Sequence, residues 1–148
     1  MSHAECVTRL RGSCHCAAVR LFFASPAPAL SLNPRACDCS FCRKHGASWL
    51  SDPHGTLRIE ADSPAPALYR QGTGTAQFVT CSRCGVLVAV LYKHQGITYG
   101  AANASCLDDP PALGPPLPVS PQTLSAEEKA GRWQQLWVPQ VELLTSGA

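Results

Sequence analysis

The chain has 148 residues, 45% of them hydrophobic and 15% charged, and a formal net charge of +2 at pH 7. That length is near the commonest for one domain and supports a modest core, which metal or covalent cross-links would reinforce. The small charge excludes a broad electrostatic surface for nucleic acid, and the longest apolar run, residues 86–92 (VLVAVLY), falls far short of the roughly 18 residues of a membrane span.

Period-two and fully apolar runs separated by turn residues predict strands at 6–11, 16–24, 48–51, 56–60, 67–71, 76–80, 86–92 and 97–100. Gly72-Thr73-Gly74 and His94-Gln95-Gly96 are expected hairpin tips, and residues 86–92 an interior strand. The string Ser-Pro-Ala-Pro-Ala-Leu occurs at 25–30 and again at 63–68, but its flanks do not match, so two similar loops are expected rather than a structural repeat. Residues 109–123 contain six prolines and read as a surface loop. Beyond them Ser125 and Glu128 form a capping-box pattern, and Trp133, Leu136 and Trp137 recur at helical spacing until Pro139 intervenes. One short helix over 125–137 is expected, with its tryptophans packed on the sheet as core or lid rather than lining a pocket. The expected class is all-β, built of small antiparallel sheets in a single domain spanning 1–148.

Seven of the nine cysteines fall in three tight groups: Cys14 and Cys16; Cys37, Cys39 and Cys42; Cys81 and Cys84. Cysteines one or two residues apart are badly placed to pair with each other, but their thiolates converge readily on one tetrahedral ion. The two outer pairs complete a closed four-sulfur site, leaving the triplet with three ligands and an open position, the arrangement that separates reactive zinc from structural zinc. Recruitment of Cys6 or Cys106 would close the triplet as well. The closed site would join residues 14 and 84, and by analogy with a covalent cross-link of that loop length would contribute about 4 kcal/mol. The odd cysteine count and the lack of an apolar signal core in residues 1–10 predict reduced thiols and a cytoplasmic location. Seven thiolates and two dications together contribute −3, taking the formal +2 to about −1. The expectation is a protein with no nucleic-acid and no membrane partner. Arg43, Lys44 and His45 follow the triplet directly and are the candidates for holding an anionic substrate beside the open metal. For all three, ordinary solvated surface is the competing reading.

The order Gly12-Ser13-Cys14-His15-Cys16, Cys37-Asp38-Cys39-Ser40-Phe41-Cys42-Arg43-Lys44 and Cys81-Ser82-Arg83-Cys84-Gly85 resembles the glutathione-dependent formaldehyde-activating enzyme (centromere protein V) family. The likeness continues more weakly through Leu68-Tyr69-Arg70 and Leu107-Asp108-Asp109-Pro110, covering roughly residues 10–110. It implies an Mss4-like all-β fold of several small antiparallel sheets. It also implies two zinc ions, a structural one on Cys14, Cys16, Cys81 and Cys84 and one associated with activity on Cys37, Cys39 and Cys42. The implied reaction joins a thiol such as glutathione to formaldehyde or another small aldehyde, a carbon–sulfur lyase in reverse. The sequence departs from the family beyond Pro110, where a His-Ile pair and a later tryptophan segment do not align. Two other classes compete: a protein-binding module with two structural metals and no catalysis, and a metal-exchange or redox-sensing site at the triplet.

Overall fold

The computed structural model describes residues 7–108 and 112–146, so Cys6, Asp109 and Pro110 lie outside the described residues. In chain order the strands are β1 (Thr8–Ser13), β2 (Val19–Ser25), β3 (Arg35–Cys37), β4 (Trp49–Leu50), β5 (Thr56–Asp62), β6 (Ala67–Tyr69), β7 (Gln77–Thr80), β8 (Leu87–His94), β9 (Ile97–Asn103), β10 (Leu117–Val119) and β11 (Glu142–Ser146). Two helices interrupt them, α1 (Ser40–His45) and α2 (Ala126–Leu136). The all-β class is therefore what forms, but the strands gather into two mixed sheets. A four-stranded sheet runs β1-β2-β5-β11 and a seven-stranded sheet runs β10-β3-β4-β9-β8-β7-β6. Each is antiparallel except at one edge, where β11 pairs parallel to β5 and β10 parallel to β3.

Alternation explains the four-stranded sheet. β2 buries every second residue, and Leu21 and Phe23 meet Leu57 and Ile59 of β5 on the inner face. Its other face is polar and carries Phe22 beneath the guanidinium of Arg58, 4.6 Å from the ring centroid. β8 does not alternate. It is buried from Leu87 to Tyr92 because the seven-stranded sheet is the middle layer, with the four-stranded sheet on one side and the helices on the other. One core joins the two sheets; a second holds Trp49, Phe78, Val90 and Tyr92 against Trp137 and the first turn of α1.

Several differences from the sequence expectation have physical causes. β2 begins at Val19 because residues 14–18 form a tight turn, with Ala17 at φ 66° and its N–H donating to the Cys14 carbonyl at 3.2 Å. The expected hairpins form, and Gln95 and Gly96 both take positive φ, as a two-residue primed turn requires. The two Ser-Pro-Ala-Pro-Ala-Leu copies adopt different structures: the first ends in a 3-10 turn at Ala29–Ser31, the second leads into β6. β10 lies inside the proline-rich stretch, with Pro118 at its centre, and an edge strand tolerates proline because one side needs no ladder donor.

Gly12 in β1 sits where another chain segment passes: a Cβ there would meet the carbonyl oxygen of Cys106 and lie 3.0 Å from the Leu107 Cα. Gly12→Ala is therefore expected to destabilise the fold by about 1–3 kcal/mol, read as a lower denaturation midpoint at unchanged slope.

Candidate active site

The first cysteine group is built from two knuckles, one on each sheet. Between β1 and β2, the Cys14 N–H donates to the Val19 carbonyl at 2.9 Å, and the Val19 N–H returns to Cys14 Sγ at 3.3 Å. Between β7 and β8, the Arg83 and Cys84 N–H groups donate to Cys81 Sγ at 3.3 and 3.5 Å. Gly85 closes that turn at φ 78°, a conformation that favours glycine, and donates to the Cys81 carbonyl at 2.9 Å. Together the knuckles bring all four sulfurs within 4.8 Å of one another. The Cys14–Cys16 and Cys16–Cys81 separations are both 3.7 Å. A tetrahedron with metal–sulfur bonds of about 2.3 Å has edges of about 3.8 Å, so the donor set fits a four-thiolate ion. Burial pushes the Cys14 thiol up to about 12. Burial also acts to raise Cys84, but hydrogen bonds from the Cys16 and Val86 backbone and from the Cys14 and Cys81 side chains together bring that thiol down to about 6.

The second group lies on the opposite face of the seven-stranded sheet. Cys37 ends β3, Cys39 caps α1 by accepting the Cys42 N–H at 3.4 Å, and Cys42 is buried in the first turn. Their sulfurs also lie within 4.8 Å of one another. A hydrogen bond from Cys42 is the largest influence on Cys37 and holds its thiol down to about 6; the same bond, then burial, raises Cys42, against an opposing hydrogen bond from Trp49. Metal binding needs these thiols deprotonated, so a soft cation would displace the protons they carry. Gln71 Nε2 donates to Cys39 Sγ at 3.8 Å from the turn between β6 and β7.

Cys37, Cys39 and Cys42 open into a cavity of about 380 Å³, whereas the four-cysteine group does not touch it. Trp49 and Phe78 supply the sheet wall, and Trp133 and Trp137 of the α2 region the roof, their rings stacked at 4.7 Å. The capping box at Ser125 and Glu128 is formed as expected and starts that helix. The tryptophans pack against the sheet, Trp133 lying 5.5 Å from Tyr92, and line the cavity at the same time. β10 forms the remaining rim. Its register carries Val119 beside Cys37, and Asp38 then accepts hydrogen bonds from Ser120 Oγ and from Gln122 Nε2, the latter at 3.1 Å.

Arg43, Lys44 and His45 occupy the exposed last turn of α1 and do not line the cavity; the His45 ring lies against Phe41 at 4.7 Å. The basic side chains that do are Arg35, Lys129 and Arg132. The spacing 129, 132, 133, 136, 137 is a helical stripe, of which the sequence pattern singled out Trp133, Leu136 and Trp137 and passed over the two cations. Cys106 stays apart from the triplet, buried in the core between the sheets with its Sγ against the Leu87 carbonyl at 3.4 Å.

The sequence pattern of the family described as glutathione-dependent formaldehyde-activating enzyme matches residues 9–120. The chain belongs to that family. A crystal structure of a Rhodobacter sphaeroides protein is similar, with a TM-score of 0.50 and 27% identity, covering 72% of this chain and 98% of that one. Among the described residues no helix is long and apolar enough to cross a membrane.

Two sites on opposite faces of one sheet should be separable by substitution. Purified protein is expected to hold two equivalents of a soft divalent metal by elemental analysis. Cys84→Ser should lose one and unfold at markedly lower denaturant; Cys42→Ser should lose the other with a smaller loss of stability.

Proposed function

We propose that the protein is a zinc-dependent enzyme of the carbon–sulfur lyase type, joining a thiol such as glutathione to formaldehyde or another small aldehyde. The observation that supports this most is the asymmetry of the cysteine groups: four sulfurs make a set that satisfies one ion, while three make a set that faces a cavity. The donor set fits zinc in both places, and Cys37, Cys39 and Cys42 would hold the reacting ion. A zinc there supplies a position for a fourth sulfur and lowers the pKa of the thiol that takes it.

The chain's own residues do the rest. The cavity replaces a bimolecular encounter by two held reactants, and for an electrophile as reactive as an aldehyde that positioning is the main contribution. Trp49, Phe78 and Trp137 make the cavity wall apolar, and with a substrate bound they would keep water from the sulfur side and strengthen charge interactions inside. As the sulfur–carbon bond forms, the carbonyl π pair moves onto oxygen, and that oxygen finally takes the proton the thiol gave up. Lys129 lines the same cavity as the three cysteines, with its Nζ 3.9 Å from where a Cβ on Gly72 would sit, and is the cation assigned here to stabilise the developing oxyanion. The reduced thiols this chemistry needs accord with a cytoplasmic location.

Glutathione titration of the cobalt-substituted protein is expected to give a saturable change in visible absorption that Cys42→Ser abolishes. Spectra of two complete four-sulfur sites, unchanged by glutathione, would instead favour a binding module with two structural metals. In turnover, loss of Cys42 should cost at least about 100-fold, since even outer partners of metal ligands cost 10–100-fold. Lys129→Ala should lower kcat by about 10²-fold with the cobalt spectrum intact.

A further inference from the structure

The roof of the cavity lies outside the stretch that the family pattern matches. Residues 9–120 supply the cysteines and the sheet wall; Lys129, Arg132, Trp133 and Trp137 come after it. The family therefore says nothing about the ligand chemistry that this roof selects, and the residues themselves do. The lining contains three basic side chains and no aspartate or glutamate. Arg35 is half-buried and donates to Ser51 Oγ, and Ser51 in turn donates to the Leu136 carbonyl at 2.8 Å, so the guanidinium is anchored between the sheet and α2. Among the described residues the ion pairs are Arg20 with Asp62 and Arg58 with Glu60, which leaves Arg35 and Arg132 without a carboxylate. Two guanidiniums facing one cavity without an acid repel each other and are relieved by a bound anion, which each can grip through a planar fork. Beside them stands the Trp133–Trp137 pair, stacked with its planes 15° apart, and Trp49 faces the same space. The volume of about 380 Å³ is far more than formaldehyde occupies.

We propose that the reactant this cavity selects is a flat organic carboxylate, an aromatic or similarly planar thiol acid or aldehyde acid, with its carboxylate between Arg35 and Arg132 and its apolar body against the tryptophans. The reacting end then points to the cysteine triplet. That last assignment rests on the thiol–aldehyde reading above; the carboxylate subsite does not, because it is made by groups other than the metal ligands.

The chain offers its own reporter. It has three tryptophans, Trp49, Trp133 and Trp137, and all three line the cavity, so tryptophan emission excited apart from the tyrosines reads this space. The test is a fluorescence titration of the intact metal-loaded protein with phenylacetate, its neutral isostere phenylacetamide, and inorganic phosphate. Saturable quenching by phenylacetate is expected, with phenylacetamide and phosphate at least about tenfold weaker. Arg132→Gln, on an exposed helical position that keeps its fold by circular dichroism, should weaken phenylacetate about tenfold, and Arg132→Lys should restore part of the loss. Cys42→Ser should still bind phenylacetate even if it has lost all response to glutathione, which separates failure of the subsite from failure of the thiol chemistry. The proposal is overturned if phenylacetate gives no saturable change, if the amide or phosphate matches it, or if Arg132→Gln binds as tightly as the parent.

Discussion

Everything in this molecule depends on four sulfur atoms meeting at one point between two sheets. Cys14 and Cys16 sit on the knuckle that joins β1 to β2, Cys81 and Cys84 on the knuckle that joins β7 to β8, and among the described residues no sheet hydrogen bond connects those two hairpins. A four-sulfur ion held by these cysteines would serve as that connection and would set the distance at which Leu21, Phe23 and Ile59 meet Val79, Ala89 and Leu91. A domain of this size buries too little surface to be indifferent to such a cross-link. The backbone N–H groups aimed at Cys14 and Cys81 do more than shape the turns, since they lower the cost of gathering negative sulfur in one place.

The seven-stranded sheet then works as a partition. One face is committed to the clasp and the larger core, and the other is left free to carry the triplet, the aromatic wall and the cavity. Because β8 is apolar on both faces, the two cysteine groups are insulated from each other by packed side chains rather than by solvent. That separation lets the chain hold one closed and one open sulfur cluster without the two exchanging ligands.

Much of this was legible in the sequence, and for specific reasons. The cysteine spacings gave both groups because ligands one or two residues apart leave few alternatives, and the run 86–92 announced a strand with two buried faces. The capping box placed the start of α2. What was hidden is equally specific. α1 is capped by a cysteine sulfur instead of a serine or aspartate oxygen, so it carries no ordinary start signal. β10 is a three-residue edge strand containing proline and exists only because β3 offers a partner. β11 is mostly exposed and pairs with β5 across a long stretch of chain, leaving little local pattern. Lys129 and Arg132 were hidden because charge on a helix is read as solvated until a second wall is known to face it.

Asp38 stands between two cysteines of the triplet and is gripped by Ser120 and Gln122, partners 82 and 84 residues further along the chain. The four-cysteine group is complete once the β7–β8 hairpin has been made, but the cavity lacks its roof until the chain has run past Trp137. During synthesis, then, nine of the strands and both cysteine groups precede the pocket's roof, and the triplet is open on one side until the tail arrives. Contacts that distant in sequence form late and slowly. The same order reversed describes a chain that starts to come apart: fraying of residues 117–137 would open the cavity while the four sulfurs stayed together, so the molecule would keep most of its sheets after its pocket was gone.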